Sequence, residues 1–464
     1  MRIIKITTFV LILVSLSLTG IRCRKGPTSQ EAEAMKPVTL RWWRTFDDAS
    51  SAQPMIEAYK ALHPNVTIEY RKLRFEEFER ELLNALAEDR GPDIVSIHNT
   101  WIRNYQSKLI PMPPTLTIPF QQVSGKLKKE VVVTLKTTPT LSTRTLKDSF
   151  VDAVASDVLI RTQDPQEAIK EQLFGLPLAL DTLVLYSNRD MLNLAGVPEP
   201  PKTWTEFQGT VKKLTKLDQE GKLIQSGAAI GTTRNVERAS DILSLLMMQN
   251  GTEMLDASGS AAFHKTPALF EGRPVPPGLE ALTFYTDFAN PQKEVYTWSA
   301  NLQNSLEAFL AGKTAMFLGY AYHLPLIRTR GARINLAVSN APQIEGNPVV
   351  HFANFWVEGV TRKSKNQNWA WDFVLFATSP KQVTPYLEAT KKPTALRSLV
   401  ATQLESEEVG VFASQVLTAK SWYRGMNPFA AEDALLDAAD AILSGADPRD
   451  ILNIAAQRVN QTLR

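Results

Sequence analysis

The chain has 464 residues, of which 44% are hydrophobic and 21% charged, and its formal net charge is +3. This length exceeds what a single hydrophobic core normally supports, so two lobes are expected. The nearly balanced charge argues against nucleic acid as a partner, because phosphate binding requires a clustered cationic surface.

The first residues have the pattern of an export signal. Two basic residues precede an almost wholly apolar run over 6–18, whose 13 residues are too few for a membrane span. The only cysteine, Cys23, follows and is a candidate lipid anchor, although Arg22 before it is a poor match to a lipoprotein cleavage site. We therefore predict a signal peptide over 1–22, a tether over 23–36 and an exported location, and we expect export more firmly than lipidation.

Strands and helices alternate in the part of the chain that follows. Strands are predicted over 38–43, 66–71 and 93–97, and helices with one apolar face over 53–63 and 75–88 separate them. A strand, helix, strand, helix, strand order is typical of a parallel sheet with right-handed crossover helices. The sequence therefore predicts an α/β fold.

The elements farther along the chain are less regular. The threonine-rich stretch over 134–145 is consistent with either a hairpin or a mobile excursion. Thr203 and Glu206 have the spacing of a capping box that opens a helix over 206–214. A strand is predicted over 313–318. Further helices are predicted over 241–250, 279–288, 304–310, 369–378, 430–443 and 450–463.

The chain carries no complete enzyme motif. The five histidines are scattered, and Gly312-Lys313-Thr314 lacks the earlier glycine of a phosphate loop because Glu307 occupies that position. Cys23 lies in the tether and cannot be a positioned nucleophile. We therefore predict a protein without enzymatic activity, cofactor or metal. A carboxylate pair for glycoside cleavage can always be assembled from 48 acidic residues, so a secreted carbohydrate-active enzyme stays an alternative, as does a surface adhesin.

Aromatic and polar residues follow several of the predicted strands. Ligands of open α/β sheets bind beyond the carboxyl ends of the strands. Aromatic faces pack on sugar rings, and amides or carboxylates pair with hydroxyl groups, so this composition suits a carbohydrate. Neighbouring strand residues point to opposite faces, and of Trp42 and Trp43 we assign the second to the ligand. The candidate ligand-binding residues are Trp43, Arg44, Thr45, Asn99, Trp101, Asp181, Tyr320, Asn354, Trp356 and Trp422.

Several blocks of sequence, in addition to the export signal, resemble family 1 extracellular solute-binding proteins, the maltose-binding-protein-like receptors of ABC importers. The blocks keep the family's order over about 38–378, whereas 115–170 and the region after 378 match poorly. The blocks are Leu40-Arg41-Trp42-Trp43, the stretch 58–66, Gly91-Pro92-Asp93-Ile94-Val95, Phe174-Gly175-Leu176-Pro177-Leu178, and the stretches 185–192, 200–207, 309–316 and 363–367.

The resemblance implies a periplasmic-binding-protein type II fold, in which two α/β lobes are joined by hinge strands and close on the ligand. We expect an N-terminal lobe from 37–170 and 301–346, and a C-terminal lobe from 171–300 and 347–464. The resemblance also implies that Tyr320 lies on the N-terminal lobe's side of the cleft, with Trp356 on the other side. It further implies a monomer that captures a mono- or oligosaccharide and delivers it to the transmembrane subunits of an ABC permease.

Overall fold

The computed structural model describes residues 35–124, 130–163 and 169–464. The predicted signal peptide over 1–22 and the candidate anchor Cys23 lie outside these ranges. Within the described ranges, no helix combines the length and the apolar character that a membrane span requires.

The strands and helices are numbered in chain order. The strands are β1 Val38–Arg44, β2 Val66–Lys72, β3 Ile94–His98, β4 Thr115–Ser124, β5 Glu130–Pro139, β6 Leu159–Gln163, β7 Ile169–Leu173, β8 Leu176–Pro177, β9 Asp181–Thr182, β10 Val184–Asn188, β11 Lys216–Leu217, β12 Leu223–Ala229, β13 Thr314–Gly319, β14 Leu336–Asn340, β15 His351–Asn354, β16 Trp356–Val360 and β17 Ala419–Lys420. The α-helices are α1 Ala49–Leu62, α2 Phe75–Ala87, α3 Ile102–Tyr105, α4 Thr143–Ser149, α5 Asp152–Val158, α6 Arg189–Leu194, α7 Trp204–Leu214, α8 Ala239–Gln249, α9 Pro277–Asp287, α10 Ser305–Leu310, α11 His323–Arg330, α12 Gln367–Ala377, α13 Pro380–Thr390, α14 Arg397–Leu404, α15 Gly410–Ala413, α16 Pro428–Leu443 and α17 Pro448–Thr462. Short 3₁₀-helices cover Asn99–Trp101, Ala268–Phe270 and Val416–Thr418.

The first of two five-stranded sheets has the order β2-β1-β3-β16-β8. Strand β1 pairs in parallel with both β2 and β3, as the alternating pattern predicted, and β16 returns antiparallel to β3. The first four residues of β3 are buried, because helices cover both faces of this sheet. The sheet therefore presents the carboxyl ends of β1, β2 and β3 along one edge.

The second five-stranded sheet has the order β11-β12-β13-β10-β14. Strands β12 and β13 run parallel, and β10 runs antiparallel to both β13 and β14. The two sheets belong to two separate clusters of buried hydrophobic residues, so each forms the centre of its own lobe. The predicted α/β architecture with two lobes is confirmed. The lobe that contains the first sheet is called the first lobe below, and the other the second lobe.

The lobe membership of two segments differs from the expected boundaries. The strand of 301–346 that was assigned to the N-terminal lobe, β13, pairs with β10 and β12 in the second sheet. Conversely, β16 pairs with β3 in the first sheet, and Leu173–Leu180 and most of 353–400 pack in the first cluster. The reason is long-range strand pairing. Strand β13 lies between β12 and β10, and β16 lies between β3 and β8, and no local sequence pattern specifies these partners.

A small sheet with the order β17-β15-β9 joins the lobes. Strand β15 pairs in parallel with β17 and antiparallel with β9. Around this sheet the buried residues change from one cluster to the other, for example between Leu180 and Leu183 and between Phe352 and Ala353. The hinge therefore consists of short strands at which the chain crosses between lobes.

Local signals predicted most helix starts to within two residues, whereas α1 begins four residues before its predicted start. The capping box is present: Glu206 N donates to Thr203 Oγ1 at 3.2 Å, and the Glu206 carboxylate accepts from Thr203 N at 3.3 Å. Helices α9, α16 and α17 begin two residues before their predicted starts, each at a proline. Proline fits the first helical position because its fixed φ is already helical and its missing N–H would have no partner there.

The threonine-rich stretch that sequence left open forms two different elements. Its first part belongs to β5, which pairs antiparallel with β4 from Thr115↔Pro139 to Ser124↔Glu130. Its second part begins helix α4, where Ser142 Oγ accepts from Thr145 N at 3.1 Å. The hairpin interpretation is therefore correct for the residues before Pro139.

Candidate ligand-binding site between the lobes

Three half-exposed phenylalanine rings lie where the two lobes face each other. Phe46 follows β1, Phe75 begins the helix after β2, and Phe429 lies in the first turn of α16 in the second lobe. Their exposed fractions are 52%, 41% and 45%. Exposure of large apolar groups in one place is unfavourable in water and is typical of a binding surface.

Two tryptophans join these rings into one surface, called here the aromatic row (Phe46, Phe75, Trp101, Trp356 and Phe429). The ring centroids of Phe46 and Phe75 are 5.8 Å apart, and those of Phe75 and Trp101 are 6.0 Å apart. Trp356 packs edge-on against Trp101 at 5.4 Å. Trp101 also contacts Phe429 at 5.4 Å. The row therefore continues from the first lobe onto the second.

A narrow cavity adjoins the row and is lined by both lobes. His98, whose ring lies 5.6 Å from that of Trp356, lines it together with Asn99 from the first lobe, and Arg238, Asp241 and Glu432 line it from the second. Its volume of about 30 Å³ leaves room for about two water molecules. A ligand larger than that requires the lobes to separate.

The second lobe places a compact ionic group in this cavity. The Arg238 guanidinium donates twice to the Asp241 carboxylate, both at 2.8 Å, and once to Glu432 Oε1 at 3.3 Å. Tyr320 donates its hydroxyl to Asp241 Oδ2 at 2.6 Å. Burial raises the pKa of the Glu432 carboxyl, and Arg238 opposes this shift. The cluster offers both donors and acceptors to a polar ligand.

Arg238 also has an unusual backbone conformation. Its φ is +52°, in the left-handed region that residues with a side chain rarely adopt. Such strain persists only where the surroundings impose it, and it is concentrated at functional sites. Here it occurs at the residue that precedes α8 and whose guanidinium holds the cavity's two carboxylates.

The first lobe contributes an unused acceptor. Asn99 is 4% exposed and donates from Nδ2 to Asp157 at 2.8 Å, whereas its Oδ1 is buried without a hydrogen-bond partner among the described residues. Asp157 in turn accepts from Ser421 Oγ and pairs with Arg424 at 3.2 Å, which links the lobes. A buried unpaired oxygen in a cavity lining is a place where a ligand hydroxyl can donate.

His98 is a neutral group in this cavity. Burial, together with the nearby positive charge of Arg238, lowers its pKa to about 4. Thr100 N donates to Nδ1 at 3.4 Å, so the proton lies on Nε2 and is donated to Asn354 Oδ1 at 3.2 Å. Asn354 therefore lies beside the cavity, in hinge strand β15.

Three predicted site residues belong instead to the interior of the first lobe. Trp43 is 5% exposed, and the Arg71 guanidinium covers its ring at 4.7 Å. Arg44 is buried between the carboxylates of Asp47 at 3.2 Å and Glu358 at 3.3 Å. Thr45 is also buried. These residues lie on or next to β1, whose neighbours on both sides and covering helices leave no free face.

The remaining predicted residues divide between lobes differently from the expectation. Tyr320 and Trp422 belong to the second lobe, where Trp422 lines the cavity and donates from Nε1 to Ser244 at 3.0 Å. Trp356 belongs to the first lobe, as the first residue of β16. Asp181 lies in hinge strand β9. The positions of Tyr320 and Trp356 are thus exchanged, because β13 and β16 pair with the opposite sheets from those predicted.

Sequence reasoning missed several of the groups that form the site, including His98 and Asp241. It overlooked Phe46 and Phe75, although both follow strands that were predicted correctly and satisfy the strand-end criterion. It also overlooked Arg238, Glu432 and Phe429. Nothing local distinguishes these three, since they meet the first lobe only through the tertiary fold.

Asp181 should make the stability of the chain depend on pH. Burial raises the pKa of its carboxyl to about 7, against the opposing effect of hydrogen bonds from Ala321 N and Thr182 N. A raised pKa means that the folded state holds the proton more tightly, so this contribution to stability is full in acid and is lost as the pH rises through 7.

We expect the free energy of unfolding of the native chain to fall by about 2 kcal/mol between pH 5.5 and 8, relative to Asp181→Asn. The asparagine oxygen can still accept from Ala321 N and carries no charge. Urea unfolding at several pH values measures the difference. An identical pH dependence in both chains would show that Asp181 does not titrate in this range.

The geometry can now be compared with known proteins. The profile of the family described as bacterial extracellular solute-binding protein matches residues 44–384. A galactooligosaccharide-binding protein of Bacillus subtilis (strain 168) is 22% identical over 355 residues, which are 74% of this chain and 76% of the relative. Putative binding proteins of Brucella abortus are 20% identical over 327 residues, 69% of this chain and 66% of theirs.

Solved structures show the same fold. A cyclic alpha-maltosyl-1,6-maltose binding protein from Arthrobacter globiformis has a TM-score of 0.69 and 20% identity, covering 92% of this chain and 99% of that one. The GacH receptor of Streptomyces glaucescens has a TM-score of 0.66 and 17% identity, covering 92% and 98%. Because the family profile spans most of the sequence, the chain belongs to the bacterial extracellular solute-binding proteins.

Proposed function

We propose that this protein captures an oligosaccharide in the cleft between its lobes and delivers it to an ABC permease outside the cytoplasm. The observation that carries the proposal is the aromatic row, which exposes three rings and crosses from one lobe to the other. A succession of flat apolar faces suits a chain of sugar rings, each of which has an apolar C–H face.

The polar groups beside the row complete the binding chemistry. Asn99 Oδ1 can accept from a sugar hydroxyl, and the Arg238 cluster offers charged donors and acceptors. Each buried aromatic platform contributes about 1.5–3 kcal/mol, and each well-formed hydrogen bond about 0.5–1.5 kcal/mol. A few such contacts reach micromolar affinity, about −8 kcal/mol, after the costs of association.

Lobe movement follows from the size of the cavity. At about 30 Å³ it is too small for a sugar ring, so the ligand enters an open form and the lobes then close on it. The hinge strands β9, β15 and β17 are two to four residues long, which suits bending there. Closure is driven only by contacts that the ligand makes better in the closed form than in the open form.

Relatives support the ligand class and the extracellular location. The Bacillus subtilis relative is named for galactooligosaccharides, and structural neighbours include a complex of the GacH receptor with acarbose and a maltodextrin-binding protein with maltotetraose. The family is extracellular, in agreement with the export signal predicted over 1–22.

We further propose that the ligand is bound without being cleaved. The two cavity carboxylates, Asp241 and Glu432, both bind the same guanidinium, that of Arg238, in the second lobe. Glycoside cleavage requires one carboxylic acid and one carboxylate on either side of the scissile bond. Carboxylates held together on one side by a shared cation are poorly arranged for that task.

Isothermal titration calorimetry of the purified chain with neutral di- to hexasaccharides tests the proposal. We expect micromolar binding of at least one oligosaccharide, weaker binding of its monosaccharide, and a change in the tryptophan fluorescence from Trp101 and Trp356. Chromatography of the same mixtures should show no cleavage products. Absence of binding across the panel would contradict the proposal, and release of shorter sugars would favour the enzyme alternative.

A further inference from the structure

A second and wider pocket is also lined by residues of both lobes. Its volume is about 460 Å³. Arg103, Gln106, Thr162, Gln172 and Arg362 line it from the first lobe, and Met426 lines it from the second. None of the described residues that line this pocket is an aspartate or a glutamate. The charge of the lining is therefore positive, in contrast to the first cavity, where carboxylates outnumber guanidiniums.

Neither arginine of this pocket has an acidic partner within the described parts of the chain. Among the described residues, no hydrogen bond or ion pair involves the Arg103 guanidinium, and that of Arg362 donates only from Nε, to Ser107 O at 3.1 Å. Other arginines that face the cleft are paired, as Arg424 is with Asp157 at 3.2 Å. Arg103 is half-buried, and a half-buried guanidinium without a counter-charge is unfavourable unless a ligand supplies the charge, whereas Arg362 is exposed to solvent.

The electrostatics of Arg103 agree with this geometry. Partial burial and the nearby positive charge of Arg424 both lower its pKa, and no carboxylate opposes the shift. Neutral donors stand beside the charge. Gln172 accepts from Thr162 Oγ1 at 2.6 Å through its oxygen, which leaves its amide N–H groups free to donate. Guanidinium and amide donors around an opening form the donor set that binds carboxylate, sulfate and phosphate oxygens.

Neighbours in the chain link this pocket to the aromatic row. Arg103 lies one residue after the pair Trp101–Ile102, and Met426 lies three residues before Phe429. In each lobe, a short stretch of chain therefore leads from the Trp101–Phe429 contact to a residue that lines this pocket. A sugar ring stacked at that contact can extend a substituent toward Arg103.

We propose that this pocket is a subsite for an anionic substituent, a carboxylate or a sulfate ester, on a saccharide held by the aromatic row. The inference rests on the proposed function and deepens it, because it assigns the ligand to the acidic oligosaccharides. Arg103 and Arg362 are the residues that distinguish an acidic ligand from its neutral counterpart.

The first experiment compares matched trisaccharides by calorimetry. The neutral members are built from glucose, galactose or mannose, and each is compared with its uronic acid counterpart and its sulfate ester. We expect an acidic member of at least one set to bind about tenfold or more tightly than the neutral member. Its affinity should fall as salt is raised, while that of the neutral member should not. The preferred acid, uronate or sulfate ester, identifies the anionic group.

Arg103→Gln and the double variant with Arg362→Gln should remove most of this preference and change neutral binding less than about twofold. Arg144→Gln is the matched control, because it removes the same charge from an exposed side chain on α4. Equal affinity for neutral and acidic members in the native chain, or a preference that survives in the double variant, would overturn the inference. Neutral binding that persists in either case leaves the proposed function intact.

A second experiment examines the pocket without any saccharide. Sodium sulfate, compared with sodium chloride at equal ionic strength, should raise the thermal unfolding temperature of the native chain and of Arg144→Gln more than that of the double variant. Equal shifts in all three chains would overturn the anion subsite. Absence of saccharide binding together with a sulfate effect confined to intact Arg103 and Arg362 would instead contradict the proposed function alone.

Discussion

Replacing Phe75 by alanine is expected to weaken oligosaccharide binding about 10- to 100-fold. The ring is 41% exposed and lies between Phe46 and Trp101 in the aromatic row, so a bound sugar would cover it. Removal of its apolar contact costs about 1.5–3 kcal/mol of binding free energy. The chain should stay folded, because much of the ring already faces water. Calorimetry with the best ligand of the saccharide panel measures the loss.

Phe120→Ala is a closely matched control. Phe120 is 39% exposed, and its ring contacts His63 and Lys136. His63 lies between α1 and β2, at the amino end of β2. The Phe120 ring that contacts it therefore lies at the edge of the first sheet opposite the carboxyl ends of the strands. We expect unchanged affinity. Equal losses in Phe75→Ala and Phe120→Ala would indicate a general loss of stability and remove the aromatic row from the binding site.

Glu358→Ala is expected to lower the free energy of unfolding by about 3–5 kcal/mol. Glu358 is 1% exposed, accepts from Trp42 Nε1 at 2.7 Å and from Ser96 Oγ at 3.1 Å, and pairs with Arg44 at 3.3 Å. Alanine would leave two buried donors unpaired and the Arg44 guanidinium with Asp47 as its remaining carboxylate partner. Chemical denaturation followed by circular dichroism measures the effect.

Two comparisons separate charge from packing at this position. Glu358→Gln keeps an oxygen for Trp42 but removes the negative charge, so we expect an intermediate loss. Glu294→Ala removes an exposed carboxylate that pairs with Lys212 and should change stability by less than about 0.5 kcal/mol. A Glu358→Ala chain as stable as Glu294→Ala would show that the buried ion pair contributes nothing beyond what alanine packing restores.

The same network explains why Arg44 was misplaced as a ligand residue. Polar residues at the carboxyl ends of strands are expected to contact the ligand, and Arg44 is the last residue of β1. However, its partner Glu358 follows more than three hundred residues later, and Tyr386 accepts from its guanidinium at 3.1 Å. The pairing of β16 with β3 brings this acid into the first lobe, and an arginine with buried acidic partners is not available to a ligand.

Trp101 also satisfies the strand-end rule, and its side chain is 5% exposed. It follows β3, a strand predicted from a short buried run, and the structure places its ring in the aromatic row beside Trp356. Two other predicted residues, Asn99 and Trp422, line the adjoining cavity. Their roles in binding stay predictions that the titrations above address.

The sequence by itself determined the α/β class, the alternation of the first strands and helices, the capped start of α7 and the family resemblance. These features depend on neighbours within a few residues, through hydrophobic periodicity, caps and turns. Only the tertiary structure decided which lobe receives β13 and β16, which strand-end residues are buried, and which groups face the cleft from opposite lobes. Those outcomes depend on pairings between distant segments, and the free energy of such pairings comes from burial in the assembled lobes rather than from any local pattern.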